Sequence, residues 1–291
     1  MGTRRVGGMF LAVFTLLGFA SCSGRPVALP VAARPPMPVA AAARPPENYP
    51  VGLRVLRLQR GQHRPLPTMV FYPAMSMLAV GLGPTTGLPP ALGRFPLVLY
   101  SHGLSGSPQR VAATLAGWAA AGYVVAAPSY PYTHEFTRDY RRWDIVNQPD
   151  DARYVIKRML RLAATPDDPL AGHIDINHIG AVGHSAGGYT TSGLFVKGHD
   201  PRLRSGVILS GWRAPGAFAG PPARMLFLQG TADPVVPMAK SRAAYARVPW
   251  PKSYVVLQGV SHANYLRPGQ LGYRLMDPAV LRFLNETLKG F

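Results

Sequence analysis

A serine at position 185 lies in a sequence pattern that is typical of a nucleophile on a tight turn. Residues 183–187 read Gly-His-Ser-Ala-Gly and match the motif G-x-S-x-G. The apolar run at 178–182 predicts a strand before the motif, and residues 186–195 predict a helix after it. Because this turn is so tight, the positions two before and two after the serine must be small, and both are glycine. Ser185 is therefore predicted to be a nucleophile.

A serine nucleophile needs a histidine as base and an acid that orients the histidine, and on such turns they follow in the order serine, acid, histidine. After Ser185 the chain has only two histidines, His199 and His262. Between Ser185 and His262 it has only two acidic residues, Asp200 and Asp233. His199 and Asp200 follow the helix after the serine too closely to return to the same edge of a sheet. Asp233 and His262 each follow a predicted strand, where open α/β sheets build their sites, so they complete the predicted triad.

The elements that must position these residues are short apolar runs alternating with helical segments from about residue 51. Strands are predicted at 51–59, 67–72, 96–101, 123–127, 178–182, 205–209, 223–229 and 253–258. Helices are predicted at 109–121, 150–164, 186–195, 240–247 and 278–288. The first two strands are expected to be antiparallel. The later alternation predicts βαβ units and a mostly parallel central sheet flanked by helices, in one α/β domain.

Four local sequence matches resemble the α/β-hydrolase superfamily. They are Ser-His-Gly-Leu at 101–104, GHSAGG at 183–188, GTADPVVP at 230–237 and SHANY at 261–265. The resemblance covers residues 51–291 and implies the α/β-hydrolase fold. It also implies that the backbone N–H groups of Leu104 and Ala186 form an oxyanion hole. Within the superfamily the chain is most similar to small lipases, cutinase-like polyester hydrolases and proteins like platelet-activating-factor acetylhydrolase.

The triad and the resemblance together predict a serine hydrolase that cleaves carboxylic esters through an acyl-enzyme, without a cofactor or a metal. The ester could belong to a small molecule, a lipid or a polyester. Two alternatives remain open at this point. An acyltransferase would use the same triad with an alcohol in place of water, and a catalytically silent binding protein could share the scaffold. The natural substrate and the oligomeric state do not follow from the sequence.

Three further residues follow predicted strand ends and are candidates for the substrate pocket: His102, Tyr130 and Trp212. Aromatic residues at such positions are as compatible with the core as with a pocket. The link at about 211–222 is short, so we expect little or no cap domain over the site. Residues 74–94 and 129–149 could cover the site from other sides, and the first of them could act as a lid.

The first 22 residues are typical of a signal peptide. Arg4 and Arg5 precede an apolar stretch from Val6 to Ala20, which is too short for a comfortable membrane span. The only cysteine, Cys22, follows in Phe19-Ala20-Ser21-Cys22, which resembles a bacterial lipoprotein box with Phe in place of the usual Leu. Cys22 would then carry lipid and anchor the secreted protein to the cell envelope. The alternative is ordinary cleavage near residues 20–23, with Cys22 incidental.

Composition and charge restrict the remaining classes of function. Residues 23–50 are rich in Pro and Ala, which favours a semi-extended tether. The whole chain is 47% hydrophobic and 15% charged, which excludes a chain that is intrinsically disordered over its whole length. The formal net charge is +18, but the basic residues are scattered and match no nucleic-acid-binding module. We therefore expect no nucleic-acid partner, and a basic surface suited to anionic envelopes or substrates.

Overall fold

The computed structural model describes residues 48–75 and 83–291. The predicted signal peptide, Cys22 and all but the end of the tether lie outside these residues, as does the centre of the 74–94 segment. Tyr49 and Pro50, which the sequence assigns to the tether, are already part of the fold. The Tyr49 N–H donates to the Ala120 carbonyl, and the Pro50 carbonyl accepts from Ala74. Among the described residues, no helix is both long enough and apolar enough to cross a membrane.

The described residues form a single sheet with helices on both faces. The strands are β1 (Val51–Arg60), β2 (Arg64–Pro73), β3 (Thr85–Thr86), β4 (Phe95–Ser101), β5 (Val124–Pro128), β6 (Ile174–His184), β7 (Leu203–Leu209), β8 (Arg224–Gly230) and β9 (Lys252–Leu257). The α-helices are α1 (Ala112–Ala120), α2 (Gln148–Ala163), α3 (Ala186–Leu194), α4 (Met238–Ala246) and α5 (Leu271–Leu284). Short 3₁₀-helices span Gln109–Val111 and Arg142–Asn147, and a π-helical turn spans Asn285–Lys289.

The strand order in the sheet is β3-β1-β2-β5-β4-β6-β7-β8-β9. The β1–β2 hairpin is antiparallel, and β2 pairs antiparallel with β5. From β5 to β9 every neighbouring pair is parallel. The predicted α/β class with a mostly parallel sheet is confirmed. The chain leaves β4 for β5 on one side and later places β6 on the other side, so the strand order reverses between β4 and β6.

Alternating side chains on the central strands fill two separate apolar cores, one on each face of the sheet. On β4, Leu97 and Leu99 point into one core, whereas Val98 and Tyr100 point into the other. Helices α2, α3 and α4 cover the first face, and α1 and α5 cover the second. Because β4 is buried on both faces, its sequence is a continuous apolar run, as parallel sheets require.

Several element boundaries differ from the sequence-based prediction; β6, for example, begins at Ile174 and not at residue 178. Helix α5 begins at Leu271, whereas the sequence predicts a helix that starts at Pro278. A proline is favoured at the first position of a helix and costs a hydrogen bond inside one, but here Pro278 lies in the interior. The 3₁₀-helix Arg142–Asn147 was not predicted either. The link between β7 and β8, residues 210–223, contains neither helix nor strand, as expected from its length.

Candidate active site

Ser185 occupies the sharp turn between β6 and α3. Its backbone has φ 57° and ψ −119°, a left-handed conformation that costs energy for any residue other than glycine. The turn is possible only because glycines flank it. A Cβ on Gly183 would overlap the backbone of Gly187, and a Cβ on Gly187 would overlap the carbonyl group of Ser101. The turn therefore has the geometry of a nucleophile elbow, as the sequence predicts.

The elbow lies where the strand order of the sheet reverses. Ser101, the last residue of β4, pairs with Gly183 near the end of β6. The loops that follow these two strands therefore meet at the carboxyl edge of the sheet, at its topological switch point. Open α/β sheets bind their ligands in this position, because the loops diverge and leave a crevice.

Asp233 and His262 reach the same edge from the loops after β8 and β9. The Nδ1 of His262 donates a hydrogen bond to Oδ2 of Asp233 over 2.8 Å. The Asp233 side chain is 1% exposed and that of His262 is 16% exposed. Both His262 and Ser185 line one cavity. Within residues 83–291, however, the Ser185 hydroxyl makes no hydrogen bond to His262, and such catalytic bonds are often long until substrate binds.

Backbone and side-chain donors hold Asp233 in its ionised form. The N–H groups of Val235 and Val236 each donate to Oδ1 over 2.9 Å, and the Gln229 amide donates to Oδ2 over 3.3 Å. Burial alone would raise the pKa of Asp233, but the bonds from Val236 and His262 outweigh it and lower the pKa below its usual value. A carboxylate in this state can fix the orientation of His262 and stabilise its charged form.

Two unpaired backbone donors lie beside the elbow. The loop after β4 passes directly against the serine, since a Cβ on Gly103 would lie 3.1 Å from Cβ of Ser185. The next residue, Leu104, lines the cavity, and among the described residues its N–H has no hydrogen-bond acceptor. Ala186 is the first residue of α3, so its N–H has no acceptor within the helix. Both N–H groups are thus free of an acceptor among the described residues, which a donor to an oxyanion must be before substrate binds.

His102 lines the cavity and shapes the loop that carries Leu104. Its Nδ1 lies 2.7 Å from the Gly103 carbonyl oxygen, and its Nε2 lies 3.1 Å from the Tyr130 N–H. Because a carbonyl accepts and an N–H donates, Nδ1 must carry the proton and Nε2 must accept. Complete burial lowers the pKa of His102 to about 4, so the ring is neutral. It has a structural role at the wall of the cavity.

The other two predicted pocket residues do not line this cavity. Tyr130 is completely buried, and its hydroxyl is hydrogen-bonded to Oγ of Ser101 over 2.8 Å. The Trp212 ring packs on Tyr189, with 6.0 Å between the ring centres. Tyr130 is therefore part of the core, whereas the half-buried Trp212 packs beside α3 and is not among the residues that line this cavity.

His199 and Asp200, the rival base and acid, lie away from the site. Asp200 forms an ion pair with Arg202 at 2.7 Å, and the His199 ring packs against Phe195 and Trp250. The sequence analysis excluded both residues from the triad because they follow the helix after Ser185 too closely, and these contacts agree with that exclusion.

Tyr265 is a site residue to which the sequence analysis gave no role. Its ring lines the cavity and packs on His184, with 5.5 Å between the ring centres. Its hydroxyl accepts hydrogen bonds from Oγ of Ser210, at 2.6 Å, and from the N–H of Gly230. Burial raises its pKa to about 12. Tyr265 thus joins the ends of β7 and β8 to the loop of His262, and its place in SHANY was the available signal.

The cavity has a volume of about 210 Å³. Besides histidines, the charged side chains that line it are Arg110 and Arg267. Arg110 is paired with Glu135, whereas Arg267 is exposed and forms no ion pair with the described residues. Within the same part of the chain, no group of three or more His, Cys, Asp or Glu residues is arranged to bind a metal ion. Comparison of the chain with protein-family models and with curated proteins finds no match.

Proposed function

We propose that this chain is a serine hydrolase of the α/β-hydrolase fold that cleaves carboxylic esters. One observation carries the proposal: a strained serine on the β6–α3 turn shares a cavity with a histidine that is hydrogen-bonded to a buried, ionised aspartate. Strain of this kind persists only where the surrounding structure enforces it, and it is frequent at active sites. A serine in a plain turn would need neither the two crowded glycines nor the histidine pair.

The proposed reaction uses the residues as follows. His262 takes the proton of the Ser185 hydroxyl as Oγ attacks the ester carbonyl carbon. Asp233 fixes the tautomer of His262 and stabilises the imidazolium that forms. The N–H groups of Leu104 and Ala186 hold the oxyanion, and one such donor is typically worth about 10²–10³ in rate. His262 then protonates the leaving alcohol, and water releases the acid from the acyl-enzyme by the reverse sequence.

The size of the cavity favours esters with short acyl chains. Its volume of about 210 Å³ is below the roughly 300–1,000 Å³ of sites that hold drug-sized ligands. The absence of a helix between β7 and β8 leaves no cap there that could extend the cavity over a long chain. We expect activity on soluble butyrate esters to rise hyperbolically with substrate, without a jump at the solubility limit.

The decisive experiment combines covalent labelling with a matched pair of serines. A fluorophosphonate probe should label the protein, and p-nitrophenyl esters from acetate to palmitate should be hydrolysed with a preference for the shorter chains. Ser185→Ala should abolish both signals. Ser105 is the control, because it also has a positive φ and lines the same cavity but has no histidine–aspartate pair. Equal loss in Ser105→Ala, or full activity in Ser185→Ala, would refute the assignment.

The same experiment separates the alternative functions. An acyltransferase would be labelled but would pass the acyl group to an added alcohol faster than to water. A silent binding protein would be neither labelled nor active.

We also propose that the protein is exported and anchored to the cell envelope through Cys22. The proposal rests on the apolar segment before Cys22 and on the position of this single cysteine. Mass spectrometry of the mature N-terminus should find an acylated Cys22, and Cys22→Ser should move the protein out of the membrane fraction. A mature chain with an unmodified N-terminus near residue 23 would exclude the lipid but keep the export.

A further inference from the structure

A short segment after β5 exposes four large apolar side chains. They are Phe136, Tyr140, Trp143 and Val146, with 62%, 46%, 63% and 60% of their surfaces exposed, and we call them the apolar rim. Monomeric soluble proteins expose single apolar residues often, but concentrations of them mark surfaces that bind something. Four such side chains within eleven residues therefore indicate a candidate binding surface.

The apolar rim is held in place by the fold. Trp143 and Val146 are three residues apart on the 3₁₀-helix Arg142–Asn147, so they share one face of it. On another face, the buried Asp144 accepts two hydrogen bonds from Arg64 of β2, at 2.9 and 2.7 Å. Arg64 also binds the buried Asp151 of α2. The apolar side chains are thus exposed on a segment that buried ion pairs attach to the sheet.

The charge around the apolar rim is positive. Arg138 and Arg142 are exposed and form no ion pair with the described residues. The acids of the same segment are already neutralised, since Asp139 pairs with Arg141 and Asp144 with Arg64. The surface therefore combines exposed aromatic rings with two uncompensated guanidinium groups, in a chain whose formal net charge is +18.

The apolar rim adjoins the wall of the cavity. Two residues just before Phe136 contact the wall of the cavity. His134 pairs with Gly106 through an isolated parallel β-bridge, and Glu135 forms an ion pair with Arg110. Both Gly106 and Arg110 line the cavity that contains Ser185. A partner that covers the apolar rim would therefore lie next to the candidate active site.

We propose that the apolar rim, with Arg138 and Arg142, binds the surface of an anionic phospholipid membrane. Aromatic side chains are favoured at the level of lipid headgroups, and arginines are attracted to anionic lipids. A second copy of the chain fits this surface less well. A two-fold contact is self-complementary, so it would bring the same unpaired arginines together. The proposal does not depend on the hydrolase activity, because none of these side chains belongs to the triad.

Trp143 provides a specific probe of this contact. It is the most exposed of the four tryptophans in the chain, since Trp118 is buried and Trp212 and Trp250 are half-buried. The first 47 residues contain no tryptophan, so fluorescence does not report on them. The experiment uses the full chain with Cys22→Ser, which removes any lipid at that position. Vesicles of phosphatidylcholine with brominated phosphatidylglycerol should quench the emission. In Trp143→Phe the quenching should vanish while co-sedimentation with the vesicles is kept.

A matched pair of charge variants tests the arginines. Arg138→Gln with Arg142→Gln should weaken binding to these vesicles about 25-fold, because each basic residue near an anionic surface contributes about fivefold. The control is Arg57→Gln with Arg204→Gln, which removes the same charge from exposed residues of β1 and of the start of β7. This control should weaken binding much less. Pure phosphatidylcholine vesicles should bind the parent chain poorly.

The apolar contribution has its own variant. Phe136→Ser with Val146→Ser should weaken the quenching of Trp143 by phosphatidylglycerol vesicles, whereas Leu92→Ser, at an 80% exposed position outside the apolar rim, should not. Hydrolysis of a soluble ester should be unchanged in all these variants. The proposal is overturned if Trp143 is not quenched, if both arginine pairs weaken binding equally, or if Phe136→Ser with Val146→Ser dissociates a dimer and leaves vesicle binding intact.

Discussion

His184 donates a hydrogen bond from Nε2 to the backbone carbonyl oxygen of His262 over 2.9 Å. The two rings lie against each other, with 4.7 Å between their centres. Burial and the neighbouring His262 lower the pKa of His184 to about 3, so its ring is neutral and Nε2 must carry the single proton. A neutral neighbour holds the loop of His262 without repelling the positive charge that His262 would acquire during the reaction.

We therefore expect His184 to position the base. His184→Phe keeps a ring beside the elbow but removes the donor, and should lower kcat for a soluble ester about tenfold with little change in KM, as expected for a lost hydrogen bond. His184→Gln, which offers an N–H donor, should recover part of the loss. Steady-state kinetics of the two variants test this. Equal activity of His184→Phe and the parent, or a change in KM alone, would contradict the positioning role.

The buried aspartate should matter more than any other acid. Asp233→Asn keeps the shape of the side chain but lets His262 adopt the wrong tautomer, a change that costs about 10⁴ in kcat in a serine protease triad. Asp200→Asn is the matched control, because Asp200 only pairs with Arg202 at the surface. Its activity should match that of the parent. Damage by Asp200→Asn without damage by Asp233→Asn would show that the acid is wrongly assigned.

The order of the elements and the placement of Ser185, Asp233 and His262 at one edge of the sheet could be predicted from the sequence because both depend on local patterns. The apolar run of β4 and the glycines beside Ser185 are signals within a few residues of the features they produce. Asp233 and His262 follow strand ends, and parallel strands bring those ends to one edge whatever the details of packing. The mixed sheet with its carboxyl-edge site was therefore predictable.

The features that the sequence did not predict are ones that distant residues decide. Tyr130 follows a strand end, as a pocket residue would, but contacts with Ser101 and His102 turn it into the core. The hydrogen bond from His184 joins residues 78 positions apart, and no local pattern encodes it. The exposure of Trp143 likewise depends on the pairing of Asp144 with Arg64, 80 residues away. The sequence gives the residue types at these positions, but not the directions in which their side chains point.

The crowding at Gly187 makes a prediction about stability. A Cβ there would overlap the Ser101 carbonyl, so Gly187→Ala must displace the elbow or the end of β4 and should cost several kcal/mol, about the largest loss seen for single substitutions. Gly117 is the control, because it lies on the exposed side of α1 with no atom within 4 Å of a Cβ. Gly117→Ala should stabilise the protein by about 0.5–1 kcal/mol. Urea unfolding measures both, and equal effects would contradict this packing.

Buried histidines should make the protein less stable in mild acid. The pKa of His102 is about 4 in the fold, against a usual value of 6.5, so between these values the unfolded chain binds a proton that the folded chain does not. The free energy of unfolding should therefore fall by about 1.4 kcal/mol per pH unit for this residue as the pH drops below 6.5. His184 acts in the same direction, with a pKa of about 3.

The contribution of His102 can be isolated by substitution. His102→Gln keeps an acceptor for Tyr130 and a donor for Gly103, but it does not titrate. The free energy of unfolding, measured in urea at about pH 7 and about pH 5, should fall less in the variant than in the parent. The difference should be roughly the contribution of one histidine that binds a proton on unfolding. Carboxyl groups contribute equally to both proteins and cancel in the comparison. Parallel pH profiles would mean that His102 is protonated in the fold.

The unpaired arginine at the cavity should give a preference for anionic esters. Arg267 lines the cavity and forms no ion pair with the described residues, whereas Arg110 forms an ion pair with Glu135. A p-nitrophenyl ester with a carboxylate at the far end of its acyl chain should therefore bind better than a neutral ester of equal length.

Arg267→Gln should raise KM for the anionic ester about three- to fivefold, the range of an exposed ion pair, and leave KM for the neutral ester unchanged. Arg204→Gln, which removes the same charge at the opposite edge of the sheet, should affect neither ester. The preference should also shrink as salt is added, because the arginine is exposed to solvent. An equal change in KM for both esters would mean that Arg267 shapes the cavity and does not select the anionic ester by its charge.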